Sequence, residues 1–168
     1  MLKVKRIVMT DINDVKKINR LLAQQSPGSE EKVITRDDLE QALSNKFFYL
    51  FMASDSERPN DYVGMATIFF QRNIARWIGE IHDIVVDSQA RGRGIGEQLT
   101  RKLMNTARKF SKERNVKMKL YLTSRPSRVA ANFLYAKIGF ILVAQSYGRW
   151  GTNLYKIIVE PTGFRGLP

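Results

Sequence analysis

Hydrophobic residues recur along the chain with two periods, one typical of strands and one typical of helices. Residues 4–9 are predicted to form a strand, whereas Val15, Ile18 and Leu22 follow the spacing of an amphipathic helix over 12–23. The same reasoning predicts helices at 36–43, 94–114 and 129–138, and strands at 47–53, 62–70, 77–86, 116–122, 140–144 and 154–159.

This order of elements predicts the fold class. A strand that leads through a long helix into another strand is typical of a parallel crossover, and the neighbouring hairpins favour antiparallel pairing. We therefore expect an α/β (α+β) fold, in which a mixed six- to seven-stranded sheet is flanked by about four helices. A chain of 168 residues with 43% hydrophobic residues matches one ordinary domain, so residues 1–168 are predicted to form a single domain.

Composition excludes several kinds of chemistry. The chain has no cysteine and one histidine, which excludes disulfides and thiol nucleophiles and leaves no His-rich cluster for a metal. No apolar run approaches the roughly 20 residues that cross a bilayer, and the start has no signal-peptide pattern. We therefore expect a cytoplasmic protein without metal or membrane contact, and composition leaves open whether it forms a homodimer.

Positive charge is concentrated in one part of the chain. The net charge is +12, and residues 88–128 hold 12 Lys and Arg against two Glu, which gives this segment +10. Such an excess implies attraction to an anionic partner. The segment also contains the hexapeptide Arg91-Gly92-Arg93-Gly94-Ile95-Gly96, between a predicted strand and a predicted helix. Amide groups at a helix start, together with the helix dipole, bind phosphate when glycine leaves the backbone accessible.

Two families of phosphate-binding loops do not fit this hexapeptide. A P-loop requires Lys and then Ser or Thr after its last glycine, but Glu97 and Gln98 follow Gly96. A dinucleotide-binding loop requires GxGxxG, whereas the spacing here is GxGxG.

The hexapeptide matches the R/QxxGxG/A signature of the GNAT superfamily of acyl-coenzyme A N-acyltransferases. Residues 123–128 (TSRPSR), 131–135 (ANFLY) and Gly139-Phe140 resemble the second half of that family's domain, and the resemblance runs nearly continuously over 78–143. It implies a GNAT-like fold and acetyl-CoA as acyl donor, with the pyrophosphate held by the loop. It also implies a set of coenzyme-contacting residues, namely Ile84, Val85, Val86, Arg91, Gly92, Arg93, Gly94, Ile95, Gly96 and Asn132.

The resemblance also implies three catalytic residues. Glu80 stands eleven residues before Arg91, where the family often carries its general base, and His82 lies on the same strand face. Tyr135 matches the tyrosine that protonates the coenzyme thiolate in many members. The residues alone leave other interpretations open, since Glu80 is also compatible with an ion pair, His82 with a structural hydrogen bond and Tyr135 with aromatic packing. Which of Glu80 and His82 is the base is also open.

We therefore predict an acetyl-CoA-dependent N-acetyltransferase in which a primary amine attacks directly in a ternary complex. The acceptor, a small-molecule or a protein amine, is not predicted, because the segments that hold it in the family carry no substrate motif here. These segments are the first two helices, the QQSPGSEE connection and residues 146–153. The alternative is a non-enzymatic nucleic-acid-binding module that uses the basic stripe 101–128. Nucleic acid is disfavoured because aromatic residues interleave poorly with these charges.

Overall fold

The computed structural model describes residues 1–8, 11–25, 33–148 and 151–165. The chain divides into two compact units, Met1–Phe69 with Asp83–Leu103 and Phe70–His82 with Met104–Pro168. The single domain over 1–168 stays a prediction. Thr10, most of QQSPGSEE and part of 146–153 lie outside the described residues.

The predicted order of elements is confirmed. Eight strands in the described residues form a mixed sheet with four helices, which confirms the predicted class. The elements are β1 (Leu2–Ile7), α1 (Ile12–Leu22), α2 (Arg36–Ser44), β2 (Phe48–Asp55), β3 (Gly64–Arg72), β4 (Trp77–Val86), α3 (Ile95–Arg114), β5 (Met118–Ser124), α4 (Val129–Ile138), β6 (Ile141–Gln145), β7 (Asn153–Glu160) and β8 (Gly163–Arg165).

The first unit places its strands in the order β1-β2-β3-β4, and β1–β2 and β2–β3 are antiparallel. Helix α1 begins where the Asp11 side chain accepts a hydrogen bond from the Asn13 amide. Helix α2 begins with a capping box, in which Thr35 and Asp38 each accept a hydrogen bond from the other's amide. The core of this unit consists of buried apolar side chains from both helices and the strands, including Ile18, Leu21, Leu39, Leu50, Met52 and Val85.

The second unit contains the parallel strand pair that the sequence predicts. The first half of β4 pairs in parallel with β5, and the strand order continues as β4-β5-β7-β6, with β8 on β7. Phe110 of α3 stacks on Phe70 at 4.0 Å between ring centroids and meets the edge of Trp77 at 5.0 Å. Helix α4 ends at Gly139, which has a φ of 105°, a left-handed conformation that glycine adopts without strain.

Two differences from the predicted elements have local causes. Strand β8 has three residues, too few to show an alternating pattern. The predicted strand at 116–122 begins later, at Met118, because α3 ends in a left-handed residue, Asn115 with φ 50°. The Val116 amide then donates to the Ser111 carbonyl at 3.0 Å, so this residue closes the helix instead of starting the strand.

Candidate active site

The glycine loop, residues 91–96, joins β4 to α3 through a short 3₁₀ turn at Ser88–Ala90. Gly92 and Gly94 have φ values of 77° and 75°, which any L-residue with a Cβ adopts only with strain. A Cβ added to either glycine would meet no atom within 4 Å, so the space beside the loop is open. Bare backbone at the start of a 20-residue helix, with room beside it, fits a diphosphate.

Gly64 of β3 allows the start of α3 to pack close to the strands. A Cβ at this position would stand 3.0 Å from the Val85 carbonyl oxygen and 3.1 Å from side-chain carbons of Ile95 and Leu99. Backbone-to-backbone approach of this kind requires glycine. Gly64 is therefore a close-packing residue beside the start of α3.

A buried carboxylate, Asp87, organises the entry to the loop. Its Oδ1 accepts a hydrogen bond from the Gln89 amide at 3.0 Å, and its Oδ2 pairs with the Arg20 guanidinium. Arg58 approaches from the other side at 3.4 Å. Burial alone would raise the pKa of Asp87, but the hydrogen bonds from Arg20 and the Gln89 amide outweigh it and hold the pKa below its usual value.

The two arginines of the loop have different surroundings. Arg91 has an exposed side chain whose Nε donates to the Val86 carbonyl at 3.4 Å, and in the described part of the chain it forms no ion pair. The Nη2 of Arg93 lies 2.5 Å from Asp55 Oδ2 and 3.0 Å from Glu57 Oε1. Of the two arginines predicted to contact the coenzyme, Arg91 is therefore exposed to solvent, whereas Arg93 binds two carboxylates of its own unit.

Asp83 lies in β4 just before Ile84–Val86, which the resemblance assigns to the coenzyme. Its φ of 50° is left-handed, which is uncommon outside glycine but least strained for Asp and Asn. The carboxylate accepts hydrogen bonds from Thr67 Oγ1 and Gln25 Nε2, both at 3.2 Å. These contacts hold the irregular residue in place. Within the three-residue segment, Val85 is buried, whereas its two neighbours are half-buried.

The predicted acid–base residues of β4 are in contact with each other. His82 Nε2 lies 3.2 Å from Glu80 Oε2, and Gln71 Nε2 donates to Glu80 Oε1 at 3.0 Å. Both carboxylate oxygens of Glu80 are thus positioned by neighbouring side chains. The exposed fractions are 32% for the Glu80 side chain and 45% for His82, so the pair can exchange protons with water.

The other two predicted residues lie on α4. Tyr135 is buried and makes edge-to-face ring contacts with Phe140 at 6.3 Å and Tyr155 at 5.8 Å. Burial raises the pKa of Tyr135 above its usual value, so the phenol keeps its proton at neutral pH. Asn132 donates through Nδ2 to the Arg125 carbonyl at 3.0 Å, and its buried Oδ1 has no hydrogen-bond partner among the described residues.

Sequence reasoning missed four polar residues of the site. Gln71 positions Glu80, Asp55 binds Arg93, Asp83 bends β4, and Asp87 anchors the turn before the loop. The first three carry no local signal, because their partners lie far away in the sequence. Asp87 offers one, since an aspartate that begins a short turn often accepts a hydrogen bond from an amide two residues later.

Among the described residues, no cluster of three or more His, Cys, Asp or Glu side chains is arranged to hold a metal ion.

Within the described ranges, no helix has the length and apolar character to cross a membrane.

A family model matches most of the chain. The model of the Acetyltransferase (GNAT) family covers residues 15–140 of 168, a range that includes β4, the glycine loop, α3, β5 and α4. This chain belongs to the GNAT family. Its class is therefore that of the acetyl-CoA-dependent N-acetyltransferases, as the motif predicts, with acetyl-CoA as acyl donor. No curated protein sequence matches the chain.

Solved structures of acetyltransferases share the fold of this GNAT chain at low sequence identity. Arabidopsis thaliana NAA60 in complex with acetyl-CoA has a TM-score of 0.72 at 16% identity, covering 95% of this chain and 99% of that chain. The glucosamine-6-phosphate N-acetyltransferase of Arabidopsis thaliana has a TM-score of 0.67 at 18% identity, covering 89% and 98%. The ribosomal-protein-S18-alanine N-acetyltransferase of Escherichia coli has a TM-score of 0.67 at 16% identity, covering 95% of each chain.

Proposed function

We propose that this GNAT chain transfers the acetyl group of acetyl-CoA to a primary amine, which attacks the thioester directly in a ternary complex. The observation that carries the proposal is the contact between Glu80 and His82 on β4, the strand that continues into the glycine loop. The same strand thus supplies proton-accepting side chains and leads into the phosphate-binding backbone. The chain has no cysteine to carry the acyl group, which supports direct attack.

Each side chain has one task in this proposal. The Glu80–His82 pair accepts a proton from the acceptor amine, which then attacks the thioester carbonyl, and Gln71 keeps the Glu80 carboxylate in place. Tyr135 donates its phenolic proton to the departing thiolate, a role that its burial supports, since burial keeps the phenol protonated. Backbone amides of the glycine loop and the Arg91 guanidinium bind the pyrophosphate. Ile84–Val86, which lie between His82 and the glycine loop in the sequence, contact the coenzyme in this proposal.

The acceptor is proposed as a class, a primary amine of a small molecule or of a protein. Structurally similar enzymes differ in this respect, since one is named for an alanine of ribosomal protein S18 and another for glucosamine 6-phosphate. Both names describe acceptors whose nitrogen is acetylated, which supports the amine class.

Coenzyme binding and turnover test the proposal. Isothermal titration calorimetry with acetyl-CoA should give saturable binding, and a panel of small amines and peptides should release thiol with at least one acceptor. A matched titration with oligonucleotides at low and high salt tests the nucleic-acid alternative, which predicts tight binding that weakens steeply as salt rises. No heat with acetyl-CoA together with salt-sensitive oligonucleotide binding would contradict the proposal.

Tyr135→Phe tests the proton donor. Removing the hydroxyl should lower kcat by at least about tenfold, since a positioned acid contributes on the order of 10² or more. KM for acetyl-CoA should change little, because the ring and its packing against Phe140 and Tyr155 remain. Tyr155→Phe is the matched control, as it deletes a hydroxyl from another buried tyrosine on β7 and should affect kcat much less. Equal kcat for Tyr135→Phe and the wild type would remove Tyr135 from the mechanism.

A further inference from the structure

Asp55, a buried carboxylate at the end of β2, is bound to the middle of the glycine loop. Its side chain is 4% exposed, and Oδ2 lies 2.5 Å from Arg93 Nη2. Strand β2 pairs with β3 over Phe48–Ala53 and with β1 as far as Asp55, which lies opposite Leu2. Arg93 thus connects the loop to the end of a sheet strand.

The charge of Asp55 requires a partner. Burial alone would raise the pKa of this carboxyl, but the hydrogen bond from the Glu57 amide and the positive charge of Arg93 outweigh it and hold the pKa below its usual value. This buried carboxylate is compensated by the Arg93 guanidinium and by the N-terminal ammonium group, which lies 3.6 Å from Oδ1, because an unpaired buried charge is costly. Arg93 is therefore bound to Asp55 before any ligand arrives.

The loop needs such an attachment. Arg93 lies between Gly92 and Gly94, both in the left-handed region, and a Cβ on either glycine would meet no atom within 4 Å. The two glycines therefore have no side chains that pack against the protein and fix the backbone. Glycine also loses more conformational freedom than any other residue when a loop becomes ordered. An ion pair on the residue between them restricts the loop before binding.

We propose that Asp55 is a positioning residue for coenzyme binding, which acts through Arg93 to hold the glycine loop in the shape that presents its amides to the pyrophosphate. This inference rests on the proposed function. It also gives the two arginines of the motif different roles. Arg91 contacts the phosphates, and Arg93 attaches the loop to Asp55. Arg93 is thus removed from the coenzyme-contacting residues implied by the resemblance.

The rival arrangement has Arg93 leaving Asp55 to contact the pyrophosphate directly. The two arrangements predict opposite signs for Asp55→Asn. If Asp55 only competes with the phosphate for Arg93, its neutralisation frees the guanidinium and coenzyme binds more tightly. If Asp55 positions the loop, its neutralisation releases the loop and coenzyme binds more weakly.

A double-mutant cycle on the full chain measures the difference. Coenzyme A affinity is determined by calorimetry for the wild type, Asp55→Asn, Arg93→Ala and the double variant. Each single variant should weaken binding about tenfold, and the double variant should be no weaker than either, because both changes remove one attachment. Glu57→Gln is the matched control, since this carboxylate also contacts Arg93 Nη2, at 3.0 Å, but is 70% exposed and should change affinity less than about twofold.

Kinetics and hydrogen exchange add readouts that a general loss of stability would not reproduce. With an acceptor from the amine panel, KM for acetyl-CoA should rise while kcat stays the same in both single variants, because the catalytic side chains are untouched. In the ligand-free protein, the amides of residues 91–96 should exchange faster to the same extent in both. Arg93→Lys should recover part of the affinity, as lysine keeps one charged contact with Asp55.

The outcomes separate this inference from the function on which it rests. Unchanged or tighter binding by Asp55→Asn, or additive losses in the double variant, would overturn the positioning role. A wild-type protein that fails to bind coenzyme A would contradict the proposed function. In that case hydrogen exchange still tests whether Asp55 holds the loop through Arg93. Equal loss of protection at residues 91–96 in Asp55→Asn and Arg93→Ala supports this role, and unchanged protection rejects it.

Discussion

The carboxylates around the glycine loop and the carboxylate of the acid–base pair are held in opposite ways. The side chains of Asp55 and Asp87 are 4% and 3% exposed and each is bound to arginine. Glu80 is 32% exposed, and its two oxygens contact an amide, from Gln71, and an imidazole, from His82. Arginine side chains, which stay charged, hold Asp55 and Asp87 beside the glycine loop. The amide and imidazole partners and the access to water suit the proton-accepting role that we propose for Glu80.

The largest effect is expected on kcat, for the substitution that removes the proposed proton acceptor. Glu80→Gln keeps the size of the side chain and its contact with Gln71 but removes the carboxylate. We expect kcat to fall about 100-fold or more, since general base catalysis contributes on the order of 10² to 10⁴. Coenzyme affinity should remain within about twofold of the wild type, because the glycine loop is unchanged.

Thiol release with an accepted amine measures this fall, and calorimetry measures the affinity. Glu113→Gln is the control, as this exposed carboxylate on α3 contacts only Lys109 and Arg114 in the described ion pairs. A Glu80→Gln variant with undiminished kcat would assign proton transfer to His82 alone and leave Glu80 as its neighbour.

The next effect concerns stability. Asp87→Asn removes the carboxylate that pairs with Arg20 and Arg58, whereas Arg20 keeps its contact with Asp61 at 2.9 Å. We expect the free energy of unfolding to fall by about 2 to 3 kcal/mol, below the usual loss for a fully buried pair, because both arginines are partly exposed.

This loss should depend on pH. The folded pKa of Asp87 lies below its ordinary value of 3.8, so the carboxylate stabilises the fold above that value. The stabilisation disappears as the pH falls through the folded pKa. The difference between wild type and Asp87→Asn should therefore be constant from neutral pH to about pH 5 and shrink below about pH 4. Urea unfolding at several pH values measures it, and a difference that persists unchanged at pH 3 would contradict the assigned ion pairs.

The smallest effect separates backbone conformation from packing in the loop. Gly94→Ala places a Cβ in open space at φ 75°, so its cost is conformational, about 1 to 2 kcal/mol. Gly64→Ala instead places a Cβ 3.0 Å from the Val85 carbonyl. We expect Gly94→Ala to weaken coenzyme binding with little change in melting temperature. Gly64→Ala should lower the melting temperature because the start of α3 must shift. Calorimetry and thermal unfolding of both variants test this, and equal melting temperatures would contradict the packing role of Gly64.

Periodic segments made most of the fold predictable. The predicted bounds of β4 and α4 agree with the structure, and Gly139 marks the end of α4 in the sequence. The start of β5 was not predictable, since the end of α3 depends on a left-handed Asn115 and a hydrogen bond from Val116. Strand β8 exists only through its pairing with β7.

The candidate site was predictable only in part. A motif and a fixed spacing along the chain indicate the glycine loop and Glu80. The partners of these residues come from other elements, as with Gln71 for Glu80 and Asp55 for Arg93. A single sequence carries no information on which polar residues meet across strands. For this reason the sequence assigns both loop arginines to the coenzyme, whereas the structure binds Arg93 to Asp55.

Asp83 has a consequence for how this chain can vary. Its backbone restricts the position to residues that accept left-handed geometry at little cost, which are glycine, asparagine and aspartate. Only aspartate among them offers two oxygens to Thr67 and Gln25 together. Mutational tolerance should therefore be narrow at this position. Backbone geometry alone is enough to restrict the residue types that this strand position accepts.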